Sequence, residues 1–298
     1  MAKLSASLKE LINARHRPIP APSGIRRVFE KIADDRVQPV RLGFHPWLAL
    51  STAATLTLDS PESVAELYSV ASVRHHPYEV ALLMREVGLK CISFSGIPRA
   101  INALLALRAA MPPSVVQRLP MIDDRRLSLD SLEPTCDRGR YLFSSIYGPL
   151  RHKLVHRLSL AHPALPFYII DGHYGALLSN PSGSFEQVPV GRLLTSVIAV
   201  ACLRAQPAAG PQLLSHVYGL RQAYLDGTWK CDWMSVTADD NDRNQQAIEW
   251  LTSNNGAEWL LRCVDTITDA LGGRGGSSSE ESSSMLPSWG FIPWIGLD

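Results

Sequence analysis

The sequence contains no apolar segment long enough to cross a membrane, and it has few charged residues. The longest apolar runs, 47–58 and 197–203, either contain Ser and Thr or are far shorter than the roughly 20 residues that span a bilayer. Charged residues make up 19% of the chain, and the formal net charge is +1. We therefore predict no transmembrane helix and no overall electrostatic field that would bind nucleic acid or an anionic membrane.

Cysteine is also scarce, and its spacing does not suggest pairs. The five cysteines are Cys91, Cys136, Cys202, Cys231 and Cys263. None of them forms a CxxC pair or the paired spacing of a zinc site, so we interpret them as reduced and mostly buried thiols. Such thiols are typical of an intracellular protein, in the cytoplasm or the mitochondrion. We expect no bound metal and no cofactor.

What the sequence does contain is helical patterning. The 298 residues are 46% hydrophobic, which is enough for a sizeable core. No segment shows the strict alternation of a half-buried strand, whereas apolar residues recur at helical spacing between prolines and glycines. The pattern predicts an all-α fold with helices over 47–57, 63–73, 78–94, 98–110, 140–160, 166–178, 188–205, 211–225 and 244–271.

Composition divides the chain into five parts. We predict an N-terminal helix with a proline-rich lead (1–43), a first helical unit (44–111), a linker (112–138), a second unit (139–271) and a flexible tail (272–298). Residues 1–17 are basic and amphipathic, so they form either an ordinary first helix or a mitochondrial presequence. The tail carries Trp289, Phe291 and Trp294. It either docks in a groove of its own subunit or of a protein partner, or is an unstructured end.

A short internal match indicates that the two units arose by duplication. Residues 61–68 align with residues 211–218, with a proline, an aliphatic residue, a small residue, an aliphatic residue and a tyrosine in register. Each copy follows an apolar helix and precedes a long helical region. Packing two such units together would bury both apolar faces. The alignment places Glu66 opposite His216.

Two regions of the chain resemble a known family. Residues 85–104 read REVGLKCISFSGIPRAINAL, and the later segments are 139–143 (GRYLF), 146–148 (IYG), 173–175 (HYG), 192–194 (RLL) and 212–216 (QLLSH). The first run is similar to the Arg-Glu, Gly-x-Pro and Asn-Ala pattern of carboxymuconolactone decarboxylase-like proteins of the alkylhydroperoxidase D-like superfamily. The later segments resemble the eukaryotic, chiefly fungal, two-unit members. Together these stretches span about residues 44–271.

The resemblance implies an all-α bundle of antiparallel helices that assembles into symmetric oligomers, with active sites near the helical interfaces. One branch of the superfamily decarboxylates a lactone by proton transfer, and the other reduces peroxides through a CxxC dithiol. In the second branch the two cysteines stand seven and four residues before the histidine. Counting back from His216 gives Ala209 and Gln212, and neither is a thiol. We therefore do not expect dithiol peroxidase chemistry.

The decarboxylase branch leaves His216 and Glu86 as the candidate catalytic residues. His216 can exchange a proton near neutral pH, and Glu86 matches the family acid in the Arg-Glu motif. The structural alternative for His216 is a buried histidine that hydrogen-bonds a tyrosine such as Tyr218 or a carboxylate, and for Glu86 it is an ion pair with a nearby basic residue.

Two functions therefore remain open. The first is proton-transfer chemistry on a small carboxylate or lactone. The second is a non-catalytic scaffold or interaction subunit, which is favoured by the missing CxxC, the divergent residues after Gly227 and the aromatic tail. An enzyme should place His216 and Glu86 around one water-accessible cavity, whereas a scaffold would bury them separately.

Overall fold

A computed structural model describes residues 3–14, 18–34, 42–121, 125–180, 190–231 and 238–272. Every regular element in these ranges is helical, which confirms the predicted all-α helical bundle. None of these helices is both long and apolar enough to span a membrane. The predicted aromatic tail, with Trp289, Phe291 and Trp294, lies outside the described residues.

The helices of the N-terminal half begin where prolines and glycines predict. They are α1 (Ala6–Asn13), α2 (Ile25–Ile32), α3 (Phe44–Thr57), α4 (Pro61–Arg74), α5 (Pro77–Lys90), α6 (Ile92–Ser95), α7 (Ile97–Ala110) and α8 (Pro113–Val116). Pro61 and Pro77 stand in the first turns of α4 and α5, where a proline loses no helical hydrogen bond. Gly96 separates α6 from α7 with a φ of +87°, a conformation that favours glycine. The predicted 78–94 helix is divided at Cys91 into α5 and α6.

The C-terminal half contains the larger departures from prediction. Its α- and π-helices are α9 (Leu129–Tyr147), α10 (Arg151–Ala161), α11 (Leu165–Phe167), a π-helix (Tyr168–Leu178), α12 (Arg192–Arg204), α13 (Gly210–Leu225), α14 (Ala238–Thr252) and α15 (Asn254–Ala270). Helix α9 begins inside the predicted linker 112–138 because the Ser128 hydroxyl accepts from the Ser131 amide and forms a capping box. Pro134 is tolerated within α9. The predicted 244–271 helix is interrupted at Ser253, which caps α15.

Two helices form the centre of the bundle. Every residue of 46–57 in α3 and of 192–202 in α12 is buried, and the two helices pack against each other. Helices α4, α5 and α15 also contact α3, and α13 and α15 contact α12. The α4 and α13 segments that the internal match aligned therefore each follow one of the two central helices.

A second, smaller core lies between α9 and the π-helix, and α13 packs against α9 beside it. The α9 and π-helix backbones approach so closely that a Cβ on Gly139 would lie 2.5 Å from the Ile170 carbonyl oxygen, and a Cβ on Gly175 would lie 2.8 Å from the Thr135 carbonyl oxygen. Gly219 on α13 makes a similar close approach to Ile146 on α9. These glycines let three helices converge, and the side chains described next lie at that convergence.

Candidate functional site

His216 lies on α13 and lines a cavity of about 330 Å³. Most of the cavity wall is apolar or aromatic, and a few polar side chains converge on it. The polar and tyrosine side chains in the wall are Ser93, Tyr147, His173, Tyr174, Gln212, Ser215 and His216 itself. The wall combines residues of α9, the π-helix and α13 with Ser93 and Phe94 of α6, so both predicted units contribute to it.

A hydrogen-bonded chain of three side chains occupies the cavity wall. The Nε2 atom of His216 lies 3.3 Å from the Tyr147 hydroxyl, which lies 2.9 Å from the Tyr174 hydroxyl. The His216 ring also packs edge-on against Phe94, with 5.6 Å between ring centroids. Within the described residues Nδ1 of His216 is buried and has no hydrogen-bond partner. One imidazole nitrogen is thus held by a phenol while the other is left for a further group.

The protonation states of this chain follow from its burial. Burial, and then the positive charge of Arg192, lower the pKa of His216 to about 4. Burial also raises the pKa of Tyr147, and it raises the pKa of Tyr174 well above its usual value. At neutral pH the site therefore presents a neutral imidazole and two protonated phenols. These three side chains can exchange a proton and donate hydrogen bonds, and none of them is charged.

Arg192 supplies a buried positive charge beside this chain. Its guanidinium donates to Ser145 Oγ at 3.0 Å, Ser196 Oγ at 2.7 Å and the Gly219 carbonyl oxygen at 2.6 Å. Those acceptors are neutral, and the positive charge still influences His216 and both tyrosines. A fixed cation at this position would stabilise a negative charge in the cavity.

Two more polar groups complete the wall. Gln212 lies one turn before His216 on α13, and its Oε1 is buried with no partner among the described residues. Gln212 stands four residues before His216, at a position where the peroxidase branch has a cysteine. On another side of the cavity, Nδ1 of His173 lies 3.1 Å from the Ser93 hydroxyl.

The structure places Glu86 and His216, the two predicted catalytic residues, in the walls of different cavities. Glu86 lies on α5 in a separate groove, where the Arg125 guanidinium donates to both carboxylate oxygens, the longer bond measuring 3.2 Å. The Lys90 ammonium, one helical turn away, is 3.7 Å from the same carboxylate. Glu86 thus forms ion pairs with basic residues, which was the alternative to a catalytic role.

Lys90 lies between the two regions. It is fully buried, and its ammonium donates to the Leu178 carbonyl oxygen and, at 3.0 Å, to Asn180 Oδ1. Leu178 lines the His216 cavity, whereas Glu86 belongs to the other groove. The two sites are thus neighbours that share a buried cation but are not one cavity.

The sequence missed the tyrosines and the arginine of the site. Tyr147 and Tyr174 lie within the quoted motif segments, but they are 27 residues apart and no local pattern indicates that they meet. Tyr218, the partner suggested for His216, is 39% exposed, and Tyr147 takes that role. Arg192 gave one signal that could have identified it, because an arginine in the first turn of an otherwise apolar helix is unusual.

The thiols that the structure describes lie elsewhere. Cys91 and Cys202 are fully buried with their sulfur atoms 3.6 Å apart, and Cys263 is also buried. Burial raises the pKa of the Cys91 thiol well above its usual value, which opposes formation of a nucleophilic thiolate.

Comparisons with known proteins add one relative. No family model matches the chain, and no solved structure matches it. The chain is similar to Peroxisomal protein 2 of Saccharomyces cerevisiae (strain ATCC 204508 / S288c), with 28% identity over 154 residues that cover 45% of this chain and 52% of the relative. The match thus spans about half the length of that protein.

Proposed function

We propose that the His216 cavity is a proton-transfer site that acts on a small lactone or carboxylate, as in carboxymuconolactone decarboxylase-like proteins of the alkylhydroperoxidase D-like superfamily. The observation that carries this proposal is the hydrogen-bonded chain from His216 through Tyr147 to Tyr174 in the wall of a mostly apolar cavity. The motif resemblance supports the same branch, since the peroxidase cysteine positions hold Ala209 and Gln212.

The site offers what a decarboxylation needs. When the bond to the carboxylate carbon breaks, carbon dioxide leaves and the electron pair stays on the lactone as an enolate-like anion. The charge of Arg192 and the protonated phenols of Tyr147 and Tyr174 would stabilise that anion. A proton delivered to carbon from the Tyr147 and His216 pair completes the reaction, and solvent replaces that proton.

The dimensions of the cavity limit the substrate. A volume of about 330 Å³ lies at the small end of ligand sites, which span roughly 300–1,000 Å³. The rings of Phe94, Phe143 and Tyr174 line it, so a compact ring with one or two oxygen substituents fits its chemistry better than an extended polar molecule. No role in this reaction is assigned to Glu86.

The second candidate is a non-catalytic scaffold or interaction subunit. It is favoured by the separation of Glu86 from His216, because the pair expected of an intact family site lies in two cavities. We also propose a homo-oligomer, supported by the exposed apolar side chains of Leu160, Phe167 and Tyr168 on α10 and its neighbours. The name of the yeast relative adds the peroxisome to the cytoplasm and mitochondrion as proposed locations.

The two candidates are separated by turnover. The purified full chain is incubated with carboxymuconolactone, and carbon dioxide release is measured together with the mass of the protein by size-exclusion chromatography. The proton-transfer proposal predicts turnover that His216→Gln abolishes. The matched control is His45→Gln, because His45 is another largely buried histidine whose pKa is lowered to about 4, and it is not part of the cavity wall. A folded protein of defined mass that releases no carbon dioxide would favour the scaffold.

A further inference from the structure

A second and larger cavity lies beside α5. It is a groove of about 650 Å³ formed by α5, α7 and the chain around α8. Nine of its thirteen lining residues are apolar, and three of these remain well exposed: Ile101 at 52%, Leu105 at 63% and Met121 at 86%. Apolar side chains concentrated in a groove of this size are typical of a ligand or partner site.

The four remaining lining residues are charged, and their charges do not balance. They are Arg85, Glu86, Arg108 and Arg125, so three guanidinium groups face one carboxylate. That carboxylate is engaged by Arg125 and approached by Lys90. Among the described residues of the wall no other acid offsets Arg85 and Arg108.

Arg85 and Arg108 influence each other directly. Arg85 is half-buried, and its guanidinium donates to the carbonyl oxygen of Pro120 at 3.5 Å. Burial, and next the like charge of Arg108, lower the pKa of Arg85. Two cations that repel each other beside apolar walls are stabilised when an anion lies between them.

We propose that this groove binds an amphipathic carboxylate, with its head group between Arg85 and Arg108 and its aliphatic chain along Ile101, Leu105 and Met121. Guanidinium groups suit a carboxylate because they donate two parallel hydrogen bonds. The exposed apolar side chains provide the surface that the aliphatic chain covers. This site is separate from the proposed proton-transfer site and does not depend on it.

Charge also argues against a second copy of the chain as the occupant. A twofold interface brings the same surface of each subunit together. The guanidinium groups of Arg85 and Arg108 on one copy would then face the same two groups on the other, which opposes association. An anionic ligand, in contrast, neutralises these two groups.

The test is calorimetric titration of the full chain with dodecanoate below its micelle concentration. Dodecyltrimethylammonium, which has the same chain length and the opposite charge, is titrated in parallel. The key variant is Arg108→Glu, because Arg108 is exposed and its substitution leaves the core intact. The matched control is Arg99→Glu, which makes the same charge change on the same helix outside the groove wall.

We expect dodecanoate to bind the unmodified protein and Arg99→Glu equally, and Arg108→Glu at least about tenfold more weakly. We expect the cationic probe not to bind, and His216→Gln to leave dodecanoate binding unchanged. The proposal is overturned if dodecanoate does not bind, if both probes bind alike, or if the two glutamate variants lose affinity equally. Loss of oligomeric mass in Arg108→Glu alone, without dodecanoate binding to the unmodified protein, would show that the groove is a subunit interface.

Discussion

The buried neutral state of His216 makes the stability of the protein depend on pH. Its pKa falls from the ordinary value of 6.5 to about 4 in the folded protein, first because of burial and then because of the charge of Arg192. The unfolded chain therefore binds this proton more readily than the folded chain. The resulting stability is fully present above pH 6.5 and is lost as the pH falls toward 4.

The size of the effect follows from that pKa difference. One pKa unit corresponds to about 1.4 kcal/mol, so full protonation removes about 3 kcal/mol and the step from pH 7 to pH 5 removes about 2 kcal/mol. The substitution His216→Gln abolishes this contribution while leaving a side chain that can hydrogen-bond Tyr147. The measurement is the free energy of unfolding in urea at pH 7 and pH 5 for both proteins.

His45 has a lowered pKa for similar reasons, namely burial and the charge of His75. Its contribution changes in the same direction and is common to both proteins, so it cancels when the pH dependence of the variant is subtracted from that of the unmodified chain. The unmodified protein should lose about 2 kcal/mol more than His216→Gln over this pH step. Equal losses in the two proteins would refute the buried, neutral imidazole and the chemistry based on it.

Two further substitutions test the packing that supports the site. Gly139→Ala should cost about 1–3 kcal/mol of unfolding free energy, because its Cβ would lie 2.5 Å from a backbone oxygen. The control Gly172→Ala should not destabilise the protein, because nothing lies within 4 Å of its Cβ. Equal urea midpoints for the two variants would contradict the close approach of α9 and the π-helix. Glu86→Gln should cost about 3 kcal/mol of unfolding free energy, because it removes a buried carboxylate that pairs with Arg125 and Lys90. An unchanged urea midpoint would show that these ion pairs contribute nothing.

The sequence predicted the helices that have local signals. Helices α4 and α5 have a proline in the first turn, and a glycine precedes α7. These signals can be identified from the single residue, without knowledge of its partners. Helix α9 was missed at its start because the prolines and acids of 112–138 suggested a linker. The cap at Ser128 is made by two serines, whose pairing becomes evident only in the folded chain.

The candidate site could be predicted only in part, for a similar reason. His216 was identifiable because it ends the family-like segment 212–216 and because histidine can exchange a proton near neutral pH. Its partner Tyr147 was not, since it belongs to α9 and reaches His216 only because Gly219 lets α13 approach that helix. The surroundings of Glu86 were not predictable either, since its position in the motif does not reveal which cavity its side chain lines.

We propose that the His216 cavity, rather than the Glu86 groove, transfers a proton to the substrate. The most direct measurement is decarboxylation of carboxymuconolactone in deuterium oxide, with deuterium in the product counted by proton NMR for the unmodified chain, His216→Gln and Glu86→Gln. We expect one deuterium on the decarboxylated carbon skeleton for the unmodified chain and for folded Glu86→Gln, and no product from His216→Gln. Product formation that survives in His216→Gln and disappears in folded Glu86→Gln would contradict it.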